Sequence, residues 1–288
     1  MISLTRLSAA TALTAVAILG AVALPAQQVT LPLKNGSVRF LVLGDAGTGD
    51  REQVDVANQM VRYAQRFPFT FAIMLGDNLY GSERPQDFDK KFLRPYKPLL
   101  DGGIEFNAAL GNHDDPNQRY FKPFHLDGQR YRTFKKGNVR FFVIDSNYLD
   151  PEQLKWLEKE LSQSGSDWKI PYFHHPLYTT ARRGPEVEVR AVLEPLFVKY
   201  GVDVVFVGHE HIYERLQPQK GIYYFTVGGA AKLRKGDTHP SPLIAARFDR
   251  DRSFLLAEIA GDSLYFQTVS RTGAVVDKGV LGRREVRK

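Results

Sequence analysis

The sequence contains no cysteine, which excludes disulfides, thiolate metal ligands, a thiol nucleophile and a lipid-bearing N-terminal Cys. It also lacks blocks of one charge. The net charge of +7 arises from 39 Lys and Arg against 32 Asp and Glu scattered along the chain. No basic run is dense enough to argue for a specific nucleic-acid partner. The excess reads either as an ordinary solvated surface or as an attraction for anions into a cleft. Low-complexity tracts, internal repeats and linkers are absent as well. The composition, 43% hydrophobic and 25% charged, is that of a globular protein rather than a disordered or collagenous one. A chain of 288 residues can bury a sizeable core. Without disulfides, that core and any bound metals must supply the stability.

The first stretch differs from the rest. Arg6 is its only charge, Leu7 to Leu24 is small and apolar throughout, and small residues follow around Ala21 to Ala26. This is the anatomy of a signal peptide over 1–26. The run also approaches the minimum length of an uncleaved membrane anchor. Cleavage is the expected outcome. It leaves a single domain over 27–288 with no stable membrane insertion, exported to the periplasm or secreted.

Beyond residue 27, short apolar runs alternate with amphipathic ones. Strands are expected at Val38–Leu43, Phe69–Leu75, Ile104–Leu110, Tyr131–Phe134, Val139–Asp145, Trp168–Phe173 and Val202–Val207. Helices are expected at Arg51–Arg66, Pro151–Ser162 and Glu186–Tyr200, with a partly helical stretch over Phe88–Leu100 interrupted by Pro95 and Pro98. From Ile222 onward only short strands separated by turn residues remain. Strand–helix–strand repeats predict parallel pairing, and the hairpin-rich tail predicts an antiparallel portion in a second sheet: an α/β fold.

The informative regularity is where the apolar runs stop. Five of them end in a Gly or apolar residue followed by a potential metal ligand: Asp45, Asp77, Asn112, His174 and His209. Functional groups gather outside the carboxyl ends of strands in open α/β sheets, so these ends can converge. Any one Gly-Asp step is an ordinary turn, and His174-His175 alone could be a satisfied core pair. Gly208-His209-Glu210-His211 is harder to dismiss, since residues two apart on an extended segment face one side. Of seven histidines, all but His125 and His239 lie in these segments. Carboxylates, imidazoles and an amide without sulfur suit Mn, Fe or Zn.

The segments GDAG at 44–47, GDNLY at 76–80, GNHD at 111–114, HHP at 174–176 and GHEH at 208–211 resemble, in order, the motifs of the calcineurin-like metallophosphoesterases. Asp-Ala-Gly in the first motif and Gly-Asp-Asn-Leu-Tyr in the second are similar to the purple acid phosphatases, of the small tartrate-resistant type. The resemblance implies a four-layer α/β/β/α sandwich of two mixed sheets flanked by helices, with a dinuclear metal site at the strand C-terminal ends. It implies hydrolysis of phosphate monoesters on a small phosphorylated substrate by a metal-bound hydroxide. It assigns Asp45, Asp77, Tyr80 and His211 to a first ion, Fe(III), because a phenolate needs a strong Lewis acid to bind at neutral pH. Asp77 bridges to a second ion, Fe(II), Zn or Mn, held also by Asn112, His174 and His209. His113 faces the phosphoryl or leaving group as the catalytic imidazole, with Asp114 expected to orient its ring, and His175 stands behind the ligands. The family often carries a further histidine before a Gly-Pro step. Here that loop reads Thr180-Ala181-Arg182-Arg183-Gly184-Pro185, which makes Arg182 and Arg183 candidates for binding phosphate. A phosphodiesterase or nuclease on the same scaffold and a non-catalytic binding protein are the alternatives.

Overall fold

The computed structural model describes residues 29–284, and the expected signal peptide lies outside them. Strand β1 (Val38–Leu43) and strand β2 (Phe71–Met74) have no exposed residue, as expected of parallel strands covered on both faces. Between them, helix α1 (Arg51–Ala64) starts where the Asp50 carboxylate accepts the Gln53 N–H at 2.9 Å. It buries Val56, Ala57, Met60 and Tyr63.

The stretch expected to break at its prolines is instead continuous. Helix α2 (Pro85–Phe88) passes through a wide π turn over Asp89–Leu93 into helix α3 (Arg94–Asp101). Pro98 gives up one main-chain bond without ending the helix, which stops at Asp101. Strands β3 (Glu105–Ala108), β4 (Arg132–Lys136) and β5 (Val139–Val143) follow, then helix α4 (Pro151–Ser162), strand β6 (Trp168–Phe173), helix α5 (Val187–Lys199) and strand β7 (Val204–Val207). The remainder is β8 (Tyr213–Leu216), β9 (Tyr223–Val227), β10 (Ile244–Phe248), β11 (Ser253–Ala260), β12 (Ser263–Ser270) and β13 (Val275–Gly282).

Two mixed sheets result, ordered β13-β12-β11-β1-β2-β3 and β10-β8-β9-β7-β6-β5-β4. The strands β1 to β3 pair in parallel, as do β5, β6, β7 and β9. The tail does not form a sheet of its own. β11 to β13 extend the first sheet antiparallel to β1, and β10 extends the second beside β8.

Aromatic rings hold the sheets face to face. Phe40 of β1 meets Phe141 of β5 at 5.2 Å and Phe206 of β7 at 6.2 Å, edge to face. Helix α1 covers the outside of the first sheet, where Tyr63 meets Phe254 at 6.0 Å. Helices α4 and α5 cover the second sheet through Leu157, Leu161, Leu193 and Phe197. The fold is thus the expected four-layer sandwich, with β1, β2, β3, β6 and β7 all emptying onto one rim.

Candidate metal centre

The loops after β1, β2 and β3 supply Asp45, Asp77, Tyr80 and Asn112, and those after β6 and β7 supply His174, His209 and His211. Every oxygen donor therefore comes from the first sheet and every nitrogen donor from the second. The backbone turns left-handed at Gly76, with φ of 88°, and on donor residues themselves, with φ of 56° at Asp45, 51° at Asp77 and 68° at His209. Asp and His tolerate that region better than most residues, at a cost of about 1 kcal/mol or more each. The glycines also allow close approach. A Cβ on Gly76 would lie 2.7 Å from His174 Nδ1, and one on Gly208 would lie 2.7 Å from Asp45 Oδ2.

Two adjacent groups form. In the first, the Tyr80 hydroxyl lies 2.9 Å from Asp45 Oδ1 and 3.1 Å from His211 Nε2, and His211 Nε2 lies 3.3 Å from Asp45 Oδ1. Asp77 completes the set with Asp45 and His211. In the second, His174 Nε2 is 2.9 Å from Asn112 Oδ1, 3.1 Å from His209 Nδ1 and 3.4 Å from Asp77 Oδ1. His174 Nδ1 faces the Leu75 carbonyl at 2.9 Å, so it carries the ring hydrogen and Nε2 keeps its lone pair. That lone pair and the Asn112 oxygen aim at one point, an arrangement a cation stabilises.

Burial pushes the carboxyl of Asp45 up to about 6, with the Asp77 charge adding to it and His211 opposing. Burial and both neighbouring carboxylates raise the Tyr80 hydroxyl, which here donates to Asp45. Burial also pushes His174 far down and His209 to about 3, with neighbouring imidazoles and, at His209, the Arg183 guanidinium adding to it. Carboxyls pushed up and imidazoles pushed down describe a desolvated enclosure that offers neutral nitrogen donors. Two cations fit this donor set.

GHEH does not act as an extended segment. Glu210 N–H donates to Gly208 O at 2.8 Å and Ile212 N–H to Glu210 O at 2.7 Å, so the chain coils through tight turns. His209 and His211 therefore enter neighbouring groups, while Glu210 points elsewhere and is fully buried with neither carboxylate oxygen partnered.

Asp114 does not orient the His113 ring. Its carboxylate accepts from the main chain of Gly111 (2.8 Å), Asn78 (3.1 Å) and Leu79 (3.0 Å), and from the side-chain amides of Asn78 and Gln118. Burial raises Asp114 to about 8, the Asp77 charge adds to it, and these donors offset part of that. Asp114 thus ties the second motif loop to the third. His113 is exposed, with its ring 5.1 Å from that of Tyr80.

His175 lies close enough to His174 and His209 to count as a donor by distance. The Ser146 hydroxyl accepts the His175 N–H at 3.1 Å and lies 2.9 Å from its Nδ1, which fixes the ring against the loop after β5. The two arginines separate. Arg182 turns toward Gly236 O at 3.4 Å, whereas Arg183 Nη1 donates to His209 Nε2 at 3.1 Å on the rim. With the Nδ1 lone pair taken by a cation, Nε2 would carry a hydrogen, and the Arg183 guanidinium would be free for an anion.

Sequence reasoning missed several contributors. Lys91, on the π turn, is nearly buried and donates to Tyr80 O at 2.7 Å and Ser82 O at 2.6 Å. Its own carbonyl accepts from buried Gln53, whose Oε1 takes the Gly49 N–H. The first two motif loops are thereby clamped together. The segment Gly228 to Lys232 packs on the first motif: the Ala231 and Lys232 N–H groups donate to Asp45 O at 3.2 Å, and the Lys232 ammonium sits 4.6 Å above the Tyr80 ring.

The family model described as Calcineurin-like phosphoesterase matches residues 38–213. Purple acid phosphatase 17 of Arabidopsis thaliana is 26% identical, over 74% of this chain and 75% of that one. Tartrate-resistant acid phosphatase type 5 of Oryctolagus cuniculus is 25% identical, over 73% of this chain and 78% of its own. The structure of purple acid phosphatase PPD1 from yellow lupin superposes with a TM-score of 0.73 at 19% identity, covering 86% of this chain and 54% of that one.

Proposed function

The chain belongs to the calcineurin-like phosphoesterase family, and on that premise we propose that it hydrolyses phosphate monoesters with two metal ions held by the two donor groups. The observation that carries this reading is the first group, in which a tyrosine hydroxyl stands with a carboxylate and an imidazole 2.9 and 3.1 Å away. A phenol in that place suits Fe(III), with Fe(II), Zn or Mn in the second group. When bound, the ions neutralise phosphoryl oxygens and lower the pKa of a water.

The chain's own residues do the rest. Asp77 stands between the groups, 3.4 Å from His174 Nε2, and its Oδ1 also accepts the His113 N–H at 2.9 Å. The Asp77 carboxylate therefore fixes the backbone from which His113 would reach the phosphoryl group. His113 stabilises that group or gives a proton to the departing alkoxide oxygen. Arg183, once released from His209, offers a fork to phosphoryl oxygens but no proton near neutral pH. The N-terminal pattern supports an exported, periplasmic or secreted enzyme, which mass measurement of the mature N-terminus checks.

The test is a panel of aryl and alkyl monoesters against diesters on metal-loaded protein, with metal analysis alongside. Monoester hydrolysis well above the diester rate is expected. A diester rate well above the monoester rate overturns the reading, and no hydrolysis by fully loaded protein favours a binding role.

A further inference from the structure

A cavity of about 710 Å³ opens beside the second donor group, with Asn112, His175, Arg130, Asp145, Tyr148 and Glu186 in its lining. Tyr148 is anomalous there. It is 65% exposed, although the loop that carries it is firmly held. Buried Gln153 accepts the Asp145 N–H at 2.8 Å and donates to the carbonyls of Asp145 and Tyr148 at 3.1 and 3.0 Å. The Asn147 amide donates to Leu110 O and Gly111 O at 3.2 Å, which fixes the loop to the third motif.

Arg130 bonds Asp145 at 2.8 Å and Asp150 at 2.5 Å, and its guanidinium sits 5.2 Å from the Tyr148 ring centroid. The ring is therefore backed by a cation that two carboxylates hold in place. An aromatic side chain kept in water by a pinned loop gains nothing from folding alone; beside a reactive centre it is a preorganised ligand contact.

We propose that Tyr148 is the platform of a leaving-group subsite that selects monoesters of planar aromatic alcohols. The phosphoryl group lies at Asn112, His174 and His209, and the ester oxygen directs the alcohol into the cavity, where its ring packs on Tyr148. Arg130 satisfies Asp145, and exposed Glu186 at the rim disfavours a second phosphate on the same alcohol. This deepens the phosphomonoesterase reading and rests on it.

The test compares full-length, metal-loaded wild type with Tyr148→Ala, Tyr148→Phe and Tyr120→Ala. Tyr120 is a matched control, 63% exposed but outside the cavity. For 1-naphthyl phosphate, kcat/KM is expected to fall roughly fivefold in Tyr148→Ala, mainly through KM, the size of one aromatic contact. Tyr148→Phe should retain the wild-type value, glycerol 2-phosphate should change less than twofold, and Tyr120→Ala should alter neither substrate. Calorimetry with 1-naphthylphosphonate and methylphosphonate reads the subsite without turnover, and the wild-type preference for the aryl compound should vanish in Tyr148→Ala. Equal losses on both esters, or an aryl preference that survives in Tyr148→Ala, overturn the proposal. If wild type hydrolyses neither ester yet keeps a Tyr148-dependent aryl preference, the monoesterase reading falls and the subsite stands.

Discussion

Replacing Lys91 by Met tests whether the π turn holds the first two motif loops in place. The substitution keeps most of the apolar stem and removes only the ammonium. Two short donations to main-chain carbonyls disappear, at 2.7 Å to Tyr80 and 2.6 Å to Ser82. Hydrogen bonds from charged donors contribute about 1.5–3 kcal/mol each. A destabilisation of about 3–6 kcal/mol follows. Urea unfolding of metal-free protein measures it directly, and heating should show a drop of roughly 6–24 °C, since each kcal/mol moves the midpoint of a chain this size by about 2–4 °C. Lys97→Met is the control. Lys97 makes an exposed i,i+4 pair with Asp101 at 2.9 Å, which should be worth less than about 1 kcal/mol. Metal analysis should then show weaker retention at the group containing Tyr80. A Lys91→Met loss below about 1 kcal/mol, or one no larger than that of Lys97→Met, refutes the clamp.

The other predictions concern the donors and their neighbours. Asp77→Asn should empty both groups, because its carboxylate stands between them; full dimetal occupancy by elemental analysis would contradict that role. In iron-loaded protein Tyr80→Phe should abolish the visible charge-transfer band expected at roughly 500–600 nm, and a colourless wild type would remove the tyrosinate assignment. Burial holds Glu210 at about 7 against an ordinary 4.5. Its neutral form is therefore favoured on folding, and the stability it allows below about 4.5 is lost as pH rises through 7. In metal-free protein Glu210→Gln should flatten that decline by about 2 kcal/mol, after allowance for screening, in unfolding titrations from pH 4.5 to 8. Parallel pH profiles for variant and wild type would show that Glu210 is not the group responsible.

The convergence of the donor side chains was legible because most of them follow short, strongly apolar runs, and such runs fix both strand and stop. β1 and β6 were delimited to the residue for that reason. β8 escaped because its four residues follow GHEH without any turn signal between them. The π turn escaped because a widened helical turn leaves no mark in hydrophobic spacing. Pro98 pointed to a break that the helix instead absorbs. The partners of Asp114, the Ser146–His175 pair and the Lys91 clamp join residues distant in sequence, so only the folded chain reveals them. The separation of Arg182 from Arg183 depends on a single loop geometry, which adjacent identical residues cannot encode.

Because the oxygen donors hang from one sheet and the imidazoles from the other, neither sheet alone can complete the second group, in which His174 meets Asn112 across the rim at 2.9 Å. An ion in that group would therefore meet its full set of donors only where the Phe40, Phe141 and Phe206 rings hold the two sheets together. Its retention would report on the packing between the halves of the molecule, and a change in the aromatic seam far from the rim would register as lost metal.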